Sequence, residues 1–231
     1  MAEIYHILNR GVDKRKIFLD KQDYFRFIHD LFEFNDQKLV NTTFRVFQRE
    51  AGNVLKGRTF NPSESRRKTR KLLIDIHAFC LMSNHYHLLL SERIENGISR
   101  FMQKLGAGYV RYFNQKHKRK GTLFENTYKS IFVSKEPHFY HLPYYIHLNP
   151  LDIEFPEWRE GKLRNYQKAM EFLNNYRWSS HSDYLGTKNF PSITNRDFLL
   201  DVFGGENKYK QSIEKWLKEL EMERIRELTL E

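Results

Sequence analysis

The hydrophobic pattern switches between two periods along the chain. Residues 4–8 form a short apolar run that predicts a first strand, closed by Asn9-Arg10-Gly11, where Gly11 permits a turn. From 21 to about 34 the period lengthens. Tyr24, Phe27, Ile28, Leu31 and Phe32 recur at helical spacing, and Asp20 stands where an N-cap belongs. The runs 72–82 and 85–90 predict two strands joined by Ser83-Asn84, a connection suited to an antiparallel hairpin. Residues 97–117 predict a second helix with Ile98, Phe101, Leu105, Val110 and Phe113 toward the core, where Gly106 and Gly108 allow close packing or a bend. Residues 127–133 predict a fourth strand. A third helix follows at 136–149, ending ahead of Pro150 because the residue before proline disfavours helical geometry. Strand, helix, strand, strand, helix, strand, helix is an α+β order with an antiparallel sheet.

Two regions fall outside this rhythm. Between 35 and 71 the pattern loosens: 42–47 suits a strand or a helix extension, and Gly52, Gly57, Asn61 and Pro62 punctuate the rest. Beyond Pro150, residues 152–158 form a polar, acidic connection. Residues 166–175 and 197–203 predict short helices and 207–230 a longer one, with Ile213, Leu217, Leu220 and Ile225 on one side.

The chemistry concentrates in two of the predicted elements. Strand alternation puts His85 and His87 on one face, and Tyr86, Leu88 and Leu90 on the other. Two imidazoles side by side on a rigid strand can supply adjacent ligands to a divalent metal, or can be hydrogen-bonded core histidines. His77, in the preceding strand, reads as structural. In the third helix Tyr145 and Asn149 are four apart and share a face. A free phenol titrates near ~10 and is a poor nucleophile at neutral pH unless its proton is removed or its anion stabilised. A metal that polarises a phosphate makes attack on phosphorus feasible.

Charge narrows the partner. The 231 residues carry a net charge of +10, which favours a polyanion, and 15% are aromatic, which suits stacking on unpaired bases. Arg10 can reach a phosphate from the first turn, or be a solvated loop arginine. Arg66, Arg67, Lys68 and Arg70 form a basic run that serves either as a backbone contact or as a solvated segment. Lys118, Arg119 and Lys120 follow the second helix, where cations complement the helix C-terminus and can also meet DNA. The single cysteine, Cys80, excludes an internal disulfide and reads as a small buried hydrophobe. No signal peptide and no membrane-spanning run is evident, so a cytoplasmic protein with no membrane partner is expected.

His85-Tyr86-His87 resembles the His-hydrophobe-His motif of the HUH endonucleases, and Tyr145-x-x-x-Asn149-Pro150 resembles the tyrosine motif of their single-tyrosine transposase branch. The REP-associated tyrosine transposases are the most similar group, with Asn-Pro where insertion-sequence enzymes more often carry glutamine. Residues 5–11, the stretch Gly121-Thr122-Leu123-Phe124-Glu125 with Lys129-Ser130, and Trp178-Ser179-Ser180-His181 fit in collinear order. The resemblance spans about residues 3–186. It implies a ferredoxin-like (RRM-like) sheet with helices packed on it in a catalytic domain over 1–186, with an insertion at about 36–71. Residues 187–231 then form a helical C-terminal extension.

The activity implied is metal-dependent nicking and rejoining of single-stranded or hairpin DNA. His85, His87 and Asn149 hold Mg or Mn, and Tyr145 forms a 5′-phosphotyrosine link. Lys129 joins the nucleic-acid contacts, and the protein is a monomer or homodimer. By ligand type alone, two imidazoles suit zinc equally well. Tyr140 and Tyr144 read as packing or stacking groups, because Tyr144 is rotated roughly 100° from Tyr145. A domesticated protein that holds hairpin DNA or RNA without cutting would use the same basic surface, but needs neither the histidine pair nor the tyrosine. A zinc phosphohydrolase needs more acidic or histidine ligands than lie near these motifs.

Overall fold

The computed structural model describes residues 3–38, 52, 62, 67, 69–134 and 136–219, the side chains of 136–138 excepted. Four antiparallel strands form the sheet: β1 (Ile4–Arg10), β2 (Ile74–Leu81), β3 (His85–Glu92) and β4 (Lys129–Phe132). Their order is β2-β3-β1-β4, with α1 (Lys21–Glu33) between β1 and β2 and α2 (Gly97–Lys116) between β3 and β4. This is the expected α+β, ferredoxin-like arrangement. The insertion at 36–71 and the tail of the last helix lie largely outside the described residues, as do Arg66 and Lys68.

Local chemistry accounts for the elements. The Asp20 side chain accepts from the Gln22 and Asp23 amides and starts α1 as an N-cap. The β2–β3 hairpin closes at Ser83-Asn84, with the Met82 amide donating to His85 O at 2.8 Å. A register shift between Ile76 and Ala78 bulges β2 at His77, whose Nε2 lies 2.8 Å from Ser91 Oγ. Strand β1 runs two residues past its apolar stretch, because Asn9 and Arg10 still pair with Tyr86 and His85. Strand β4 starts later than its pattern predicts. The Asn9 side-chain amide takes the Asn126 and Thr127 carbonyls and holds that segment by a side chain rather than by the ladder.

The sheet separates two cores. On one face Ile7, Ile76, Phe79, Tyr86, Leu88 and Leu90 pack under α1 and α2. The two helices approach closely at Gly108, where a Cβ would lie 2.4 Å from the Phe34 ring. The other face, with Ile4, Ala78, Cys80 and Leu89, is covered by α3 (Glu136–Leu148) and the helices beyond it. These are α4 (Tyr166–Asn175), α5 (His181–Tyr184), α6 (Asp197–Phe203) and α7 (Glu206–Glu219). The acidic connection after α3 is two 3-10 turns, Asn149–Ile153 and Pro156–Glu160. The Trp178-Ser179-Ser180 segment pairs along the outer edge of β2 through a Cys80–Ser179 bridge, which covers that edge. Among the described residues no helix is long and apolar enough to cross a membrane.

Candidate active site

Alternation on β3 directs His85 and His87 to the face beneath α3, with ring centroids 5.0 Å apart and planes at 84°. Tyr145, fully buried, meets the His87 ring edge-on at 5.7 Å. A third imidazole, His6 on β1, is also buried. Its Nε2 is 2.9 Å from His87 Nδ1, and its ring lies 6.5 Å from that of Tyr145. His85 Nδ1 is 2.7 Å from Asn84 Oδ1. Both Nδ1 atoms are thus engaged by neighbours, and Nε2 is the nitrogen each ring would offer a metal.

Asn149 follows one turn after Tyr145, and its Nδ2 donates to the Tyr145 carbonyl at 2.9 Å. That bond turns Oδ1 the other way, where it accepts from Arg159 Nη2 at 3.0 Å. Nη1 of the same guanidinium donates to Tyr145 Oη at 3.3 Å. Asp152 aims Arg159 through contacts of 2.8 Å and 2.6 Å, and itself accepts from Trp158 Nε1 at 2.6 Å. Arg159 therefore ties the phenol of Tyr145 to the amide oxygen of Asn149.

Among the described residues no group of three or more His, Cys, Asp or Glu side chains is placed to hold a metal. A site here would be completed by a ligand of another type. The amide oxygen of Asn149, one turn after the tyrosine that packs on His87, is a donor that suits a divalent ion together with two imidazoles.

The comparisons with known proteins bear on this segment. Residues 63–149 match the family model of IS200-like transposases. Over that stretch the chain is IS200-transposase-like, and the stretch contains His85, His87, Tyr145 and Asn149. Among solved structures, a REP-associated tyrosine transposase bound to a REP hairpin is similar at 12% identity, over 85% of this chain and 87% of that one, with a TM-score of 0.47. No curated protein matches the chain.

Outside the IS200-like stretch, the C-terminal helices anchor α3 through a buried chain of hydrogen bonds. Asn174 Oδ1, an acceptor, is 3.0 Å from His181 Nε2, so that nitrogen carries the proton. Tyr209 then donates to His181 Nδ1 at 2.9 Å, accepts from His147 Nδ1 at 2.8 Å, and leaves His147 Nε2 to accept from Ser180 Oγ at 2.7 Å. Both imidazoles are neutral. Burial pushes His181 down to about 3 and His147 well below its ordinary range.

The remaining tyrosines and the basic residues divide by position. Tyr144 packs on Phe203 and Tyr209 at 5.0 Å and 5.7 Å, and burial pushes its phenol up to about 12. Tyr140 is exposed. Arg10 stands directly across from His85, and Lys129 across from Leu8, on the face that carries the histidines. A Gly11–Phe124 bridge draws the loop after α2 to that end of β1, and Arg119 is fixed there by Asn114 Oδ1 at 3.0 Å. Lys118 and Lys120 flank it. Arg67 is exposed. Arg70 donates to Phe32 O at 2.6 Å and lies over the Phe32 ring, so its guanidinium is engaged with α1.

Sequence pattern missed His6, Asp152 and Arg159. Strand alternation places His6 on the His87 face once the β1–β3 register is known, whereas the Asp152–Arg159 pair spans two irregular turns and leaves no periodic signal.

Proposed function

We propose that the protein is a metal-dependent, transposase-like endonuclease and transesterase that nicks and rejoins hairpin-associated single-stranded DNA through a 5′-phosphotyrosine intermediate. The IS200-like match supports the transposase-like, DNA-processing role. One observation carries the mechanism. Tyr145 packs against His87 while its hydroxyl shares the Arg159 guanidinium with Asn149.

In this scheme Tyr145 Oη attacks the scissile phosphorus in line, and the proton it gives up balances the one the leaving 3′ oxygen takes. The bond from phosphorus to the 3′ oxygen breaks, leaving a 5′-phosphotyrosine and a free 3′-hydroxyl. A second 3′-hydroxyl reverses the step and rejoins the strand without ATP, because the bond energy is kept in the covalent link. Arg159 places a cation at the phenol oxygen on which negative charge develops. His85, His87 and Asn149 would hold a Mg or Mn ion, and the chemistry it supplies when bound is polarisation of the phosphate. Asn149 Oδ1, which accepts from Arg159, would give up that partner to take the role. Arg10 and Lys129, on the same face, receive backbone phosphates.

Residues 1–186 form the catalytic domain in this account. The extension from 187 buttresses the tyrosine helix through Tyr209.

The complete burial of Tyr145 favours a second reading, a protein that grips hairpin DNA or RNA without cutting. Labelled single-stranded oligonucleotides carrying hairpins, incubated with and without Mg, separate the two. Nicking with a protein-linked product only in Mg supports the transesterase, and tight binding with neither product supports the binder.

A further inference from the structure

Both strand histidines are engaged at Nδ1, by partners of different kinds. Asn84 is oriented by its own amide: Nδ2 donates to Lys14 O at 3.3 Å, so Oδ1 faces His85 Nδ1 at 2.7 Å. An amide oxygen only accepts, so His85 carries its proton on Nδ1 and its lone pair on Nε2. His87 faces another imidazole. The 2.9 Å separation from His6 Nε2 holds one proton, and the rings are stacked at 5.2 Å with planes 16° apart. If that proton belongs to His6, the neutral His87 is protonated on Nε2 and cannot ligate a metal. If it belongs to His87, the lone pair of His87 is on Nε2, and His6 is the acceptor. Strand pairing builds this contact: β1 lies beside β3 with Leu8 opposite His87, which leaves His6 on the same face two residues along.

We propose that Asn84 and His6 are positioning residues that hold His85 and His87 in the Nδ1-protonated form, with both Nε2 lone pairs presented to one divalent cation. This rests on the metal reading of the two histidines and adds the residues that make it work. Outer partners of this kind fix ring orientation and tautomer, and their removal costs roughly 10–100-fold in metal affinity. Asn84 comes from the hairpin turn and His6 from the neighbouring strand, so the two supports are structurally independent.

The test is Mn binding to the full chain without DNA, followed by electron paramagnetic resonance of the free ion. The variants are Asn84→Ala, Asn84→Asp, His6→Leu and His6→Gln, with His87→Ala marking the site. Wild type should bind Mn at a site that His87→Ala removes. Asn84→Ala and His6→Leu should each weaken that binding by about 10–100-fold. Asn84→Asp and His6→Gln, which keep an acceptor, should restore most of it. Asn84 sits on a half-buried turn, so its pair of variants stays informative if His6→Leu fails to fold. Nitrogen-15 spectra of the Mg-loaded wild type provide a readout free of mutation, in which His85 and His87 should both be protonated at Nδ1.

Wild-type affinity in both Asn84→Ala and His6→Leu, or a His87 protonated at Nε2 in the loaded protein, overturns the proposal. A wild type with no Mn site, or with one that survives His87→Ala, overturns instead the metal reading beneath it.

Discussion

The same four strands build two faces with opposite contents. Toward α1 and α2, alternation delivers Ile7, Ile76, Phe79, Leu88 and Leu90, plus Tyr86 as an apolar ring and Asn9 beside it, while the buried charge of Asp23 is met at the helix ends by Lys116 and His117. Toward α3 it delivers His6, His85, His87, Arg10 and Lys129 among the apolar residues. Burying an imidazole unpartnered is costly, and a sheet needing only stability would repeat the first face on the second. The second face instead spends hydrogen bonds on holding its polar groups still, with Asn84 on His85, His6 on His87, and Arg159 on Tyr145 and Asn149. On the proposed function, one face serves stability and the other serves chemistry.

Neighbouring residues on β3 offer the sharpest way to break this contrast. His85→Ala should reduce metal-dependent nicking a hundredfold or more, equivalent to about 3 kcal/mol of activation free energy, while the protein stays folded. Leu88→Ala should cost about 2–5 kcal/mol of stability and leave nicking per folded molecule near normal. Urea unfolding and single-turnover cleavage on both variants measure the two axes. Equal effects on both axes would erase the division.

The second face should also be the acid-sensitive one. His147 and His181 are neutral in the fold, with folded pKa values held below the ordinary 6.5 by burial. The unfolded chain takes up protons first as pH falls. The stability these groups contribute is therefore present above about pH 6.5 and is lost as pH drops toward the folded values, at up to ~1.4 kcal/mol per pH unit per histidine. Urea midpoints between about pH 7.5 and about pH 5.5 should fall in wild type, and fall less steeply in His181→Gln.

A smaller effect is expected at Arg159. Replacing it with glutamine removes a charged hydrogen bond to Tyr145, and nicking should slow about tenfold with DNA affinity unchanged. The smallest concerns reach. Lys118, Arg119 and Lys120 changed together to glutamine should flatten the log-log salt dependence of single-strand binding by about 0.7 for each phosphate no longer neutralised, and leave the cut position unchanged. An unchanged slope in a salt series would assign that cluster to the end of α2 alone.

The first face was readable because its signals are periodic and local. Asp20 caps α1 where its position predicts, and Lys21–Glu33 and Gly97–Lys116 end within a residue of their helical patterns. On the second face the motifs located His85, His87, Tyr145 and Asn149, and the period of two assigned the histidines a common side. Their partners were not legible. His6 depends on the register between β1 and β3, a long-range fact, and Arg159 depends on two 3-10 turns whose path no propensity specifies. Strand ends were blurred for a similar reason. Asn9 and Arg10 are polar yet remain in the ladder through Tyr86 and His85.

Everything in the proposed chemistry passes through one oxygen, Tyr145 Oη. The direct measurement is peptide mapping by mass spectrometry after incubation with a hairpin-bearing single strand in Mg, on wild type and Tyr145→Phe. The account predicts a 5′-phosphonucleotide mass on the peptide containing Tyr145, a free 3′-hydroxyl on the released strand, and no adduct in the Phe variant, which keeps the ring and binds DNA normally. An adduct on another residue, or one that persists in Tyr145→Phe, would contradict it.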